Sequence, residues 1–340
     1  MNSFIRRMAT AMHRALCFIV YFTGFHQVIS FLKRRQPVIL MYHSVNDRQC
    51  PHVYPDNIVS VETFERQIRY LAREKNVISL EDLVERVRNR ETLPLHTVAI
   101  TFDDGYYDFY STAYPLLKRN KLPCTLFLAT KLLDIGETKW EDTLTHMLNS
   151  ATSDVLRLRL DGRDRTWVLT TSEKRRDCIV ELVDAFHNAG DTRTQVLREV
   201  EHQMYLRKGT PPQVMMGWKE VLELAEDPHL AFGCHSHSHL NLGDISPDQA
   251  KEEIETSKEQ IEHHLQRECR LFCYPFGKKS SFTPHVKTLL KALGFAAAVT
   301  TIPGNVTRDA DPFELRRIAA IEDASYRFKC ALIGLTLQRG

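Results

Sequence analysis

Short, unbroken apolar runs, each followed by a stretch with helical spacing, restrict the fold of this chain more than any other feature. Val38–Tyr42 (VILMY), Thr97–Phe102 (TVAITF) and Cys124–Ala129 (CTLFLA) are such runs, and Leu230–Cys234, Leu271–Tyr274 and Ala296–Thr300 continue the series. Between them, Thr63–Arg73, Leu80–Val87, Ala113–Leu122, Trp218–Ala225, Pro247–Leu265 and Pro284–Leu293 carry apolar residues at helical intervals. A strand that is apolar at every position has both faces covered, and strands that alternate with helices run parallel. The expected class is therefore α/β, with a parallel sheet covered on two faces or closed into a barrel.

The alternation stops near Asp134 and resumes near Trp218. Leu156–Val168 alternates like a hairpin around Asp161-Gly162, and Ser172–His187 and Thr194–Leu206 read as helices. This segment, about residues 135–215, is expected to be a mixed α/β insertion on the main domain rather than a catalytic unit of its own. Residues 37–340 otherwise form one domain.

Residues 1–36 differ in character. Arg6, Arg7 and Arg14 precede the apolar Ala15–Phe25, and Lys33-Arg34-Arg35 follow it. The apolar run falls short of the roughly 20 residues that span a bilayer. No small-residue cleavage site follows it, so an amphipathic helix lying on a membrane surface is preferred over an export signal or a helix packed on the domain. The eight cysteines have no metal-type pair spacing and several lie in apolar runs, which points to reduced thiols and to the cytoplasm, at the inner face of the membrane. A net charge of +2, without basic blocks or interleaved aromatics, excludes nucleic acid as the expected partner.

Chemistry-bearing residues gather at the carboxyl ends of the expected strands, where parallel folds converge their loops on one opening. Asp103-Asp104-Gly105 follows TVAITF, His235-Ser236-His237-Ser238-His239 follows LAFGC, and Tyr274-Pro275-Phe276-Gly277 ends another strand. Two imidazoles and a carboxylate leave positions open on a catalytic metal, and Asp104, His235 and His239 could supply them. Asp103 could then act as general base toward water. Alone, Asp-Asp-Gly is ordinary turn or cap chemistry. On an extended strand His235 and His237 would share a face, so that pair is an alternative ligand set.

Taken in this order, the motifs resemble the polysaccharide deacetylase family, the NodB-homology group of carbohydrate esterases. The resemblance rests on Thr101-Phe102-Asp103-Asp104-Gly105 and on the His-Ser-x-x-His pattern from His235 to His239. It implies a distorted TIM-like barrel of about seven strands. It also implies Asp103 as base, with Asp104, His235 and His239 holding a divalent metal, zinc first, with cobalt, nickel or iron(II) as alternatives. His237 falls in the variable middle of the motif. The family's next motif corresponds to Cys273–Gly277, so oxyanion and substrate contacts pass to Phe276, through its backbone N–H, and to Tyr274. The arginine that usually opens that motif and orients the base is absent here. Arg317 resembles the arginine of a later motif that takes this task, with a plain surface charge as the alternative.

No histidine follows His285, although the family usually places its general acid near the C-terminus. A branch resembling poly-N-acetylglucosamine deacetylases carries that histidine early, in a Met-Tyr-His motif, and Met41-Tyr42-His43 matches it. His43 is then the expected acid, an imidazole titrating near neutrality. The activity implied is removal of N-acetyl groups from an amino sugar in a polysaccharide or lipid-linked glycan precursor. A deformylase or amidohydrolase with the same site, a non-catalytic glycan-binding relative, and a membrane-associated assembly component are the alternatives. Trp140 and Trp218 are candidates for stacking on sugar rings, with core packing the more common role for such residues.

Overall fold

The computed structural model describes residues 3–135, 138–160, 162–186, 191–204 and 213–336. Seven parallel strands close into a barrel: β1 (Val38–Tyr42), β2 (Thr97–Phe102), β3 (Cys124–Leu128), β4 (Leu230–Cys234), β5 (Leu271–Cys273), β6 (Ala297–Pro303) and β7 (Leu315–Ala319). Each strand pairs with the next in the chain, and β1 closes the ring by pairing with both β2 and β7. The pairing runs from Val38 opposite Val98 to Tyr42 opposite Phe102, and from Cys124 opposite Leu230 to Leu128 opposite Cys234.

Strand alternation sorts the side chains into two cores. Ile39, Ala99, Phe127, Leu271, Cys273, Ala297, Val299 and Leu315 point inward and form one cluster. Their neighbours Leu40, Ile100, Leu126, Phe232, Phe272, Ala298 and Ile318 point outward, into the layer packed against the helices. The interior is tight: a Cβ added at Gly233 would lie 2.5 Å from the Phe127 ring. Helix Leu80–Arg88 adds Leu80, Leu83 and Val84 to the inner cluster and closes the barrel at the amino ends of its strands.

The outer helices start where their caps dictate. Ser60 accepts a bond from Thr63 N–H at the head of Val61–Glu74, whose Phe64, Ile68 and Leu71 are buried. Ser246 and Gln249 form a reciprocal capping box before Pro247–Leu265.

The insertion builds its own apolar cluster from helix Trp140–Ser150, the antiparallel hairpin Val155–Leu160 with Arg163–Val168, and helices Ser172–Phe186 and Asp191–Met204. Asp161 and residues 187 and 205–206, which the sequence placed in this region, lie outside the described residues.

Two departures from expectation bear on function. The expected single N-terminal helix is two, α1 (Ser3–Phe22) and α2 (Phe25–Leu32), set 87° apart across Thr23-Gly24. Gly24 takes φ 80°, a backbone conformation open to glycine at little cost. α1 packs along helix Tyr326–Leu332, with Cys17 buried against Cys330, while Met12, Ile19, Phe22, Phe25, Val28 and Phe31 stay exposed. The other departure is β7, not expected as a strand. Its sequence, Leu-Arg-Arg-Ile-Ala, carries two charges, and one of them points into the barrel.

Candidate active site

The inward register that fills the barrel also carries the chemistry beyond its carboxyl end. His43 continues the inward positions of β1 (Ile39, Met41), Asp103 those of β2 (Ala99, Thr101), His235 those of β4 and Cys273 that of β5, while Arg317 stands inward on β7. Asp104 is one residue out of phase with Asp103. Its left-handed backbone, φ 80°, followed by Gly105 at 96°, turns its side chain toward the same opening. Ser236 and His239 are also left-handed, each at φ 56°, so the chain after His235 is no strand. That coil brings His239 back to His235, with ring centroids 4.9 Å apart. His237 instead bonds Thr130 Oγ1 through Nδ1 at 2.9 Å, outside the cluster. The His235–His237 alternative is therefore not the arrangement formed.

Asp103 is held by a fork. Arg317 Nη1 and Nη2 donate to its two carboxylate oxygens, both at 2.7 Å, and the pair is almost wholly buried, at 0% and 2% side-chain exposure. The guanidinium is fixed in turn by Thr300 O (2.9 Å), Thr101 Oγ1 (3.1 Å) and Cys273 Sγ (3.1 Å). Arg317 is thus no surface charge, and the base has an arginine although the usual one is missing. Cys273 stands at the position where the family motif has arginine, and its small thiol leaves room for the guanidinium arriving from β7. Burial alone would raise the Asp103 carboxyl, but Arg317 overrides it and holds the group below the usual carboxylate range.

Beside this pair, Asp104 Oδ1 lies 3.4 Å from His235 Nε2 and 3.2 Å from His239 Nε2. It is buried without a hydrogen-bond partner. His235 Nδ1 bonds Cys273 O at 2.8 Å, which presents Nε2 to the cluster, as a bond to the far ring nitrogen does for metal-ligating histidines. An orphaned carboxylate oxygen between two imidazole nitrogens suits a divalent cation. A second grouping, Asp103, His235 and Cys273, is less suited: Asp103 is committed to Arg317, and burial pushes the Cys273 thiol up, away from the thiolate.

His43 Nε2 is 3.9 Å from Asp103 Oδ2, with 22% of the side chain open to solvent. Burial lowers its pKa to about 4, against the pull of Asp104 and Asp103, which favours the neutral imidazole. The loop that follows it is tied down by Asp108, which accepts from Ser44 Oγ (2.5 Å), Val45 N (3.0 Å) and Asn46 Nδ2 (3.2 Å). Phe276 packs on His239 at 5.2 Å between centroids, in a turn with φ 62°.

Three expectations fail on placement. Tyr274 faces outward, one step out of phase with Cys273, where it stacks on Phe282 at 4.2 Å and donates to Phe313 O at 3.0 Å. Fully buried, it cannot contact substrate through its side chain. Trp140 belongs to the core of the insertion and Trp218 stacks on His264 at 3.9 Å, so neither is placed as a sugar platform.

One group went unread in the sequence. Lys139, buried at the start of helix Trp140–Ser150, donates from Nζ to Asp104 Oδ2 at 2.5 Å. Burial would lower its pKa, but Asp104, Asp142 and Glu141 raise it, so it is a cation. No periodicity or motif marks a lone lysine in Lys-Trp-Glu-Asp.

Comparison with known proteins places the chain in a family. The family model described as polysaccharide deacetylase matches residues 90–155 and 161–298. The chain belongs to the polysaccharide deacetylase family, whose members are carbohydrate N-deacetylase hydrolases. YxkH of Bacillus subtilis (strain 168), assigned as a polysaccharide deacetylase, is 21% identical over 293 residues, covering 85% of this chain and 74% of YxkH. Among solved structures, the Streptococcus pyogenes deacetylase PplD, in complex with acetate, aligns with TM-score 0.58 at 18% identity, over 88% of this chain and 98% of PplD. IcaB from Ammonifex degensii aligns with TM-score 0.56 at 18% identity, over 89% and 98%. These two share the closed seven-stranded barrel.

Proposed function

We propose that the chain removes N-acetyl groups from an amino-sugar glycan, with Asp104, His235 and His239 holding a divalent metal, zinc before cobalt, nickel or iron(II), and Asp103 as base. The observation that carries this reading is the contrast between adjacent aspartates: Asp103 is locked by Arg317, while Asp104 turns a partnerless oxygen to two imidazoles. A metal bound there supplies Lewis acidity that polarises the acetamide carbonyl and acidifies water.

The chain's own groups then divide the proton traffic. Asp103, kept ionised by Arg317, takes a proton from the attacking water as its oxygen bonds the carbonyl carbon. His43, neutral at rest and 3.9 Å from Asp103, would take that proton from Asp103 and deliver it to the amine as the C–N bond breaks. The Phe276 backbone N–H is the proposed donor to the oxyanion. Acetate and a free amine leave. The closed barrel shared with PplD, a deacetylase recorded with acetate, agrees with this chemistry. The test is acetate release from N-acetylglucosamine oligomers by zinc-loaded protein: chelation or His239→Ala should abolish it, and undiminished release would reject the metal assignment.

The exposed apolar faces of α1 and α2, followed by Arg34 and Arg35, support attachment to an anionic membrane surface; with the cysteines read as reduced, that surface is the cytoplasmic one, where the substrate would be a lipid-linked or growing polymer. No single helix among the described residues is long and apolar enough to cross a membrane. Replacing Phe22, Phe25 and Phe31 with serine should release the protein from sedimenting anionic vesicles; unchanged sedimentation rejects the placement.

A further inference from the structure

The two oxygens of Asp104 serve different neighbours. Oδ1 faces the imidazoles, while Oδ2 accepts from Lys139 Nζ at 2.5 Å. Lys139 comes from the insertion, not from the barrel. Its backbone is fixed by the start of helix Trp140–Ser150, where its carbonyl accepts from Asp142 N (3.0 Å) and Thr143 N (2.9 Å). Its ammonium lies 5.0 Å from the centroid of the Tyr106 ring. Tyr106 donates to Asp142 Oδ2 at 2.8 Å, and Tyr54 N donates to Asp142 Oδ1 at 2.7 Å. A buried cation is thus delivered to the site by a hydrogen-bonded cluster joining the insertion to the barrel mouth.

A buried carboxylate needs a compensating charge, and leaving it without one is strongly destabilising. In the absence of metal, Lys139 supplies that charge at Oδ2. A divalent cation arriving at Oδ1 then shares one carboxylate with a fixed ammonium, and two cations on one anion repel. The same lysine therefore favours the metal-free fold and opposes loading.

We propose that Lys139 is the resident counter-ion of Asp104: it keeps the metal-free site folded and sets the site's metal affinity below that of the Asp104, His235 and His239 ligands alone. The insertion thereby tunes the barrel's metal centre through one side chain. Lys139 is a positioning residue acting through Asp104, and the inference rests on the metal-site reading above.

The experiment uses the full chain as wild type, Lys139→Met and Lys139→Arg, with His239→Ala as control. Zinc Kd is read by chelator competition, and thermal stability is read with and without zinc. Lys139→Met should bind zinc tighter by roughly tenfold or more, the scale of one lost charge repulsion. It should also melt lower than wild type when metal-free and gain more from zinc, while Lys139→Arg keeps wild-type values. If Lys139→Met does not fold without metal, Lys139→Gln, which keeps a donor but no charge, carries the same comparison. Zinc affinity in the uncharged variant equal to or weaker than wild type overturns the proposal. Zinc binding undiminished in His239→Ala overturns the metal-site reading instead.

Discussion

Replacing Arg317 tests how the base is held. Arg317→Met removes two charge-assisted bonds of 2.7 Å from a pair that is nearly solvent-free, and leaves Asp103 beside an apolar side chain. Breaking a buried ion pair from one side costs about 3–5 kcal/mol, because the surviving charge is stranded. The same loss reverses the balance at Asp103: burial, which raises its pKa, is no longer overridden. An opposite charge at this range is worth about 1–3 pKa units. The acidic limb of the pH–activity profile should therefore move up by at least about one unit. Urea unfolding of wild type, Arg317→Met, Asp103→Asn and the double variant gives the coupling energy, expected to exceed about 1.5 kcal/mol. Stability within about 0.5 kcal/mol of wild type, with an unmoved acidic limb, would refute the reasoning.

His43→Gln should lower kcat by about 10²–10⁴-fold if His43 carries the proton to the amine, and acetate release shows it. Its pH signature in chelated protein has a definite sign. With the folded pKa at about 4 and the ordinary value at 6.5, His43 adds stability that is complete above pH 6.5 and lost as pH falls toward 4. The wild type should therefore lose up to about 3 kcal/mol more than His43→Gln across that window in urea unfolding. Tyr274→Phe should cost about 1 kcal/mol through its lost bond to Phe313 O and leave kcat unchanged, as steady-state kinetics would show. Deleting the Asp108 carboxylate, as Asp108→Ala, strips three bonds from the loop after His43 and should lower kcat with little change in zinc Kd.

The barrel was legible because its strands are buried on both faces and read as continuous apolar runs; β2 and β4 have the predicted bounds, Thr97–Phe102 and Leu230–Cys234. β7 was not, because one of its inward residues, Arg317, is a charge whose partner, Asp103, lies 214 positions away. Asp103, Asp104, His235 and His239 were visible as short motifs at strand ends. What no local pattern could disclose was the pairing between them. Tyr274 read as a site residue because it adjoins one, yet a single step of strand alternation sends it to the outer layer. Lys139 reaches Asp104 from an insertion whose sequence has no barrel rhythm. The break at Gly24 hid inside an otherwise unbroken apolar stretch.

The central claim is that Asp103 is the base of an N-deacetylase, and acetate released per free amine formed measures it directly. Zinc-loaded wild type and Asp103→Asn should be compared on N-acetylglucosamine oligomers, with zinc content determined for both. One acetate per amine in wild type, with a loss of about 10²–10⁴-fold in Asp103→Asn at equal zinc content, is the predicted result. Acetate release by Asp103→Asn at the wild-type rate would contradict the account.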